Sequence, residues 1–288
     1  MTDVGGVLVL LVLRDVFHTI WHPGGRGRLS SRVMAAVFRV GRSRGWRSRA
    51  GTGPTGLLLV VLTWVVLVVI GCALVYWPHL PGAFSFDVGL VPAAREDVLD
   101  AVYLSAVTLR TLGFGDVVPV AGWLRVVVPV QALVGFALLT AAVTWVLQVY
   151  PALTRRRATA VRLSLLRRVG AADLVTGPST LAAQLLHDVA GELVQVRIDA
   201  TQYAETHYFR EADADASLPA MLGVALDLAE RARTSSDRDV RFAGELLHAA
   251  VADLLTVADE EFLRAGGDVR TRCAAYAAAH GHEVATAA

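Results

Sequence analysis

Apolar positions gather into long uncharged runs in the first half of the chain and into spaced stripes in the second. From Gly56 to Trp77 the run GLLLVVLTWVVLVVIGCALVYW carries no charge over 22 residues, and at about 1.5 Å per helical residue it covers a hydrocarbon core of roughly 30 Å. Val126 to Tyr150, VVVPVQALVGFALLTAAVTWVLQVY, is a second such run. Both predict transmembrane helices. A shorter run, Val4 to Trp21, contains Arg14, Asp15 and His18. It predicts a short span with Arg14 and Asp15 paired, the other reading being a helix lying in the interface. A signal peptide is disfavoured, because no small-residue cleavage site follows the run and no basic residue precedes it.

Between the two long runs, Pro78 to Arg95 is rich in proline and glycine and reads as an exposed loop. EDVLDAVYLSAVTLR, residues 96–110, follows. Asp97 suits an N-cap, with Asp100 in the first turn. A helix of that length reaches about 20 Å at most, too short to cross, so it should enter the membrane and turn back. The last third carries helical stripes: Leu181, Leu185, Val189, Leu193 and Val196, then Phe242, Leu246, Ala250, Leu254 and Val257. Ser236 marks a helix start, and the tail from Ala274 is small and polar enough to fray. No strand-like alternation and no glycine-rich nucleotide-binding fingerprint occurs there, so a helical bundle is expected.

The chain is 55% hydrophobic with a mean hydropathy of +0.51, too apolar for an ordinary soluble protein. Its net charge of +1 hides a segregation. His22 to Pro54 holds eight arginines and no acid, and Thr154 to Arg168 holds six more with none. By the positive-inside rule both flanks stay cytoplasmic, which puts Pro78 to Gly122 outside, and both can hold anionic headgroups. From Thr176 onward there are 18 acids and nine arginines. Cys72 and Cys273 offer neither a disulfide framework nor metal spacing. His187 with Asp188, and His207 with Glu211, Asp213 and Asp215, are a weak metal or phosphohydrolase constellation, solvated helix faces being the commoner reading; helical spacing would put His207 and Glu211 on one face. No apolar span carries arginines at every third position, so a voltage sensor is not supported.

The informative stretch is TLRTLGFGDVVPV, residues 108–120. Non-helical backbone at membrane depth persists only where protein or a water-filled cavity satisfies its carbonyls. Alternating glycines adopt dihedrals closed to other residues and let successive carbonyls point one way. With its neighbours, YLSAVTLRTLGFGDVVP from Tyr103 to Pro119 resembles the pore helix and selectivity filter of potassium channels. The resemblance covers Gly56 to Tyr150, about a third of the chain: outer helix, re-entrant pore helix, filter, inner helix. It implies an all-α membrane protein in the cell membrane, multi-pass, with an N-terminal membrane segment and basic linker (1–54), a pore domain (55–154) and a cytoplasmic helical domain (155–288). The carbonyls of Thr111, Leu112, Gly113 and Phe114, with the Thr111 hydroxyl, would replace the hydration shell of K⁺. Gly115 would turn the chain outward, and Asp116 would sit at the outer mouth. One chain supplies one filter segment, so a homotetramer is implied, with K⁺ as the permeant ion, no cofactor, no nucleic-acid partner and no enzyme chemistry.

The copy departs from the family at several positions. Phe114 lacks the hydroxyl of the commoner tyrosine, and Leu104 is the position expected to face it as an apolar pair. Tyr103 can reach Asp116, whereas Val107 replaces a carboxylate that some relatives keep. Arg110 stands where a small or hydroxyl residue is usual; the expectation is a guanidinium turned behind the filter onto backbone carbonyls, with Gln131, Thr140 and Thr144 as the nearby polar groups, the other reading being a low-conductance or rectifying pore. Gly135 matches the family's inner-helix hinge, close packing being the other reading. Leu139 and Val143 are the gate candidates. Pro129 is expected to kink the inner helix and Pro151 to end it. Trp77, Trp123 and Arg125 suit the outer interface. Two further functions stay open: a nonselective cation channel, motivated by Phe114 and Arg110, and a non-conducting scaffold or receptor acting through its helical domain.

Overall fold

The computed structural model describes residues 1–21, 27–43, 51–88, 90, 97–177 and 179–287, without the side chains of Arg42 and Ser43. Arg26, Arg44, Arg47 and Arg49 of the first basic segment, and loop residues 91–96, lie outside these. The helices are α1 (Thr2–Ile20), α2 (Arg28–Ser43), α3 (Thr52–Tyr76), α4 (Val98–Leu109), α5 (Leu124–Arg168), α6 (Ala171–Leu174), α7 (Thr180–Gln202), α8 (Leu218–Arg233), α9 (Arg238–Ala258) and α10 (Val269–His280). Two short strands, β1 (Phe84–Phe86) and β2 (Val117–Pro119), pair antiparallel. The chain divides into two compact units, residues 1–34 with 56–147, and residues 35–55 with 148–288.

In the first unit, α3 and α5 are long and apolar enough to cross a membrane. α1 packs along α3 through small residues: a Cβ added at Gly5 would lie 2.3 Å from the Gly71 carbonyl. Glycines at such a contact let two helix backbones approach closely. Asp15 does not pair with Arg14, as the sequence suggests. It is 7% exposed and accepts from the Leu29 amide at 2.8 Å, the Ser30 amide at 3.1 Å and the Trp64 indole at 2.9 Å. A carboxylate there satisfies two otherwise unpaired amides of the first turn of α2 and favours the positive end of its dipole. That outcompetes an exposed contact with the adjacent arginine. Trp64 in turn lies against Trp145 of α5, ring centroids 5.6 Å apart.

α5 does not end at Pro151 but continues to Arg168. An interior proline costs a helix about 3 kcal/mol, and the following turns carry the offset. Arg155 makes two hydrogen bonds to Asp199, at 2.7 and 2.8 Å. Arg156 donates to the carbonyls of Thr206 and Phe209. Arg162 pairs with Glu192 and Asp188, and Arg167 with Asp215. Four of the six arginines read as a membrane flank are thus partnered by backbone and acids of their own unit.

The second unit is a bundle whose core includes Leu186, Val189, Leu193, Leu222, Leu226, Val251 and Leu255. Val189, Leu193, Val196, Ala250 and Leu254 of the apolar stripes are buried in it, while other stripe positions are not. Leu181 is 62% and Phe242 63% exposed, while Ala182, Ala183, Ala243 and Gly244 face the core. Small residues carry the helix contacts: a Cβ on Gly244 would lie 2.7 Å from that of Ala232. The N-cap of α9 is Asp237, one residue after the expected start, accepting from Asp239 and Val240. The tail does not fray. Cys273, Ala277 and His280 are buried in α10, the Ala285 amide bonds to the Ala220 carbonyl, and the Ala287 amide bonds to Asp227.

Candidate functional site: the re-entrant segment

α4 is a 12-residue helix, about 18 Å long. Asp97 holds the N-cap position without a side-chain cap bond, and Asp100 lies in the first turn. A buried polar network fixes this helix to both spans. The Ser105 hydroxyl donates to the Val69 carbonyl on α3 at 2.9 Å. Gln131 of α5 donates to the Ser105 carbonyl and hydroxyl and accepts from the Tyr76 hydroxyl at 2.6 Å. Sequence reasoning offered Gln131 to Arg110 and overlooked Ser105 and Tyr76. The available signal was that lone polar groups in separate apolar helices satisfy one another.

After α4 the backbone leaves the helix. Thr111, Gly113 and Gly115 have φ of +56°, +52° and +80°, while Leu112 and Phe114 do not. The left-handed region is free to glycine, but a β-branched threonine is a marked outlier there and costs of order 1–3 kcal/mol. Thr111 donates its hydroxyl to the Arg110 carbonyl at 2.7 Å. Dihedrals alternating in sign bring successive carbonyls to one side of the strand. Residues Thr111 through Gly115 are all exposed, with nothing within 4 Å of a Cβ on either glycine.

Both ends of this segment are held. At its outer end the Tyr103 hydroxyl donates to Asp116 at 2.7 Å, the Asp116 carbonyl accepts from the Asp87 amide at 2.9 Å, and β2 pairs with β1 immediately afterwards. At its inner end Gly135 lies so close to α4 that a Cβ would sit 1.9 Å from the Leu109 carbonyl oxygen. α5 runs unbroken through Pro129 and Gly135, and this contact supports the packing reading of Gly135 over the hinge. Leu139 and Val143 are 64% and 52% exposed within one chain.

Leu104 is buried while Phe114 is 64% exposed, so the chain itself does not cover the Phe114 ring. The expectation for Arg110 is overturned. Among the described residues its guanidinium makes no hydrogen bond and has no carboxylate within 4 Å; Gln131 is engaged as above, and Thr140 and Thr144 bond to the carbonyls of Phe136 and Thr140. α3 and α5 contain no acid to turn towards.

The weak metal constellation is not assembled. His207 lies in a 3-10 turn (Ala204–Tyr208) and Glu211 beyond it, so the helical spacing that would join them does not exist. His207 is buried, its ring stacked 3.8 Å from that of Phe262. No cluster of three potential ligands occurs among the described residues.

Residues 63–150 match the family model described as an ion channel. The uncharacterized membrane protein YdjJ of Bacillus subtilis (strain 168) is 25% identical over 164 residues, 54% of this chain and 46% of that protein, so the chain spans less than half of its length. No solved structure matches. Geometry and family match together describe an all-α protein with an ion-channel pore domain followed by a helical domain.

Proposed function

We propose that four copies of this chain form a potassium-selective channel in the cell membrane, with the carbonyls of Thr111, Leu112, Gly113 and Phe114 replacing water around K⁺. The observation that carries this reading is the alternation of positive φ at Thr111, Gly113 and Gly115 between a short re-entrant helix and an apolar inner helix. The exposed Phe114 ring and the exposed faces of Leu139 and Val143 support assembly, since each needs a neighbour or an aqueous lumen. Leu139 and Val143 then line the inner cavity, where an apolar ring closes the path by dewetting. Asp116, tied to Tyr103, shapes the outer mouth. The helical domain, in the cytoplasm, adjusts opening.

Arg110 favours a second reading, a nonselective cation channel, because an unpaired guanidinium ring below the filter alters the field that ions meet. Purified protein in liposomes, with K⁺ inside and Na⁺ outside, separates the two. A reversal potential near the K⁺ equilibrium value supports the first, and one near zero sinks it. Gly113→Ala, which forces a side chain into φ +52°, abolishes flux if the segment is the filter; unchanged flux refutes the assignment.

A further inference from the structure

The bundle of the second unit leaves two apolar stripes uncovered. On α7, His187, Gly191, Val194 and Ile198 are exposed at helical spacing, and on α9 Phe242, Leu246 and Ala249 are. The stripes lie side by side, because α7 and α9 run parallel: the His187 ring meets that of Phe242, centroids 5.9 Å apart, and Arg197 bonds to Asp253 at 2.9 Å. These two ties put Gly191 level with Leu246. A Cβ on Gly191 would meet nothing within 4 Å, so the centre of the patch has open space. Its two ends carry opposite charge. Arg238 opens α9 and pairs with no carboxylate among the described residues, although the first turn of a helix disfavours a cation. Asp253 lies 15 residues on, about 22 Å, and its side chain is 58% exposed beside Arg197.

We infer that this patch packs against the same patch of a second copy, the helices antiparallel about a two-fold axis at the level of Gly191 and Leu246. That operation sets Arg238 against Asp253 of the second copy and Phe242 against its Ala249, a large side chain over a small one. It brings the two α7 helices together at Gly191, where no side chain holds the backbones apart. A parallel pairing would stack Arg238 on Arg238 and Asp253 on Asp253, which like charges disfavour. Two helices about 10 Å wide and about 22 Å long offer a footprint of roughly 440 Å², against about 800 Å² per partner in a stable free interface. A patch of this size pairs when its copies are already joined, at a raised local concentration. Pairing therefore rests on the four-copy assembly proposed above, in which the helical domains join as two pairs.

Cysteine cross-linking of the full chain in nanodiscs tests this, with the buried Cys72 and Cys273 kept. Oxidation of Leu246→Cys should give a disulfide-linked dimer, and so should a chain carrying both Phe242→Cys and Ala249→Cys. Phe242→Cys alone should not, nor should Leu181→Cys, which is as exposed but on another face. Arg238→Glu should slow Leu246→Cys cross-linking about fivefold, Asp253→Arg likewise, and the two together should restore it. A dimer from Phe242→Cys alone, linkage through Leu181→Cys in place of Leu246→Cys, reaction of Leu246→Cys with a lipid-borne maleimide in place of self-linkage, or charge reversals that do not compensate overturns the inference. Native mass spectrometry of the same preparations counts the subunits. A tetramer without a Leu246→Cys dimer keeps the channel reading and removes the pairing; a two-subunit particle linked through Leu246→Cys keeps the pairing and removes the four-copy reading.

Discussion

Replacing Gly135 by alanine probes the support beneath the proposed filter, residues 111–114. The added Cβ would lie 1.9 Å from the Leu109 carbonyl oxygen, 2.9 Å from its carbon and 3.0 Å from its Cδ1. Real Cβ contacts do not fall below 3.0 Å, so the oxygen must retreat by at least 3.0 − 1.9 = 1.1 Å. The obstructing atom is backbone and cannot rotate away. Leu109 precedes Thr111 by two residues, and α4 is itself fixed through Ser105 and Gln131. The displacement therefore either reaches Thr111 or pushes α5 outward. Overpacking of this kind costs about 1–3 kcal/mol, a factor of roughly 5–150 in an equilibrium constant. Thermal unfolding in detergent, followed by intrinsic tryptophan fluorescence, should shift downward, and K⁺ flux should fall with lost discrimination against Na⁺. A hinge role predicts the opposite pairing, unchanged unfolding and selectivity with reduced opening. An alanine variant with wild-type stability and flux would refute both the contact and its consequence.

Asp15→Ala leaves the Leu29 and Ser30 amides and the Trp64 indole without their acceptor and should destabilise the protein by about 1–3 kcal/mol, read by denaturant unfolding; no change would show the buried carboxylate to be idle. A double-mutant cycle on Arg155 and Asp199 should give a coupling of about 1 kcal/mol, kept small because the Arg155 side chain is 44% exposed; zero coupling would remove the account of α5 beyond Pro151. Burial, then Arg156, pulls the His280 ring down to about 3, so the helical domain should lose stability as pH falls from about 6.5 towards 3, and His280→Phe should flatten that slope in acid unfolding. Burial raises the Cys273 thiol to about 11, so native protein should resist maleimide at pH 8 and react on unfolding; rapid native labelling would contradict the packing of α10.

The two long apolar helices and the left-handed backbone after α4 were legible because each follows from a local constraint: an uncharged run of sufficient length, or glycines where φ turns positive. Contacts across the fold were less so. Asp15 sits beside Arg14 in sequence, yet its partners lie 14, 15 and 49 residues away, and nothing local reveals an amide waiting at the start of α2. Pro151 reads as a stop by its own chemistry; only the acids on α7 show why the helix passes through it. In the bundle, the stripes located Val189, Leu193, Val196, Ala250 and Leu254 but missed Ala182, Ala183, Ala243 and Gly244 on the core face, because small residues carry little weight in a hydrophobic pattern. The tail misled likewise: Ala277 and Ala287 look featureless but are buried.

The central claim is that four re-entrant segments surround one ion path. A single-particle map of the full-length protein in nanodiscs with K⁺ tests it most directly. It should reveal a fourfold ring with density on the axis between the carbonyls of residues 111–114; a single chain, or a ring whose centre is closed by the Phe114 side chains with those carbonyls turned outward, would contradict it.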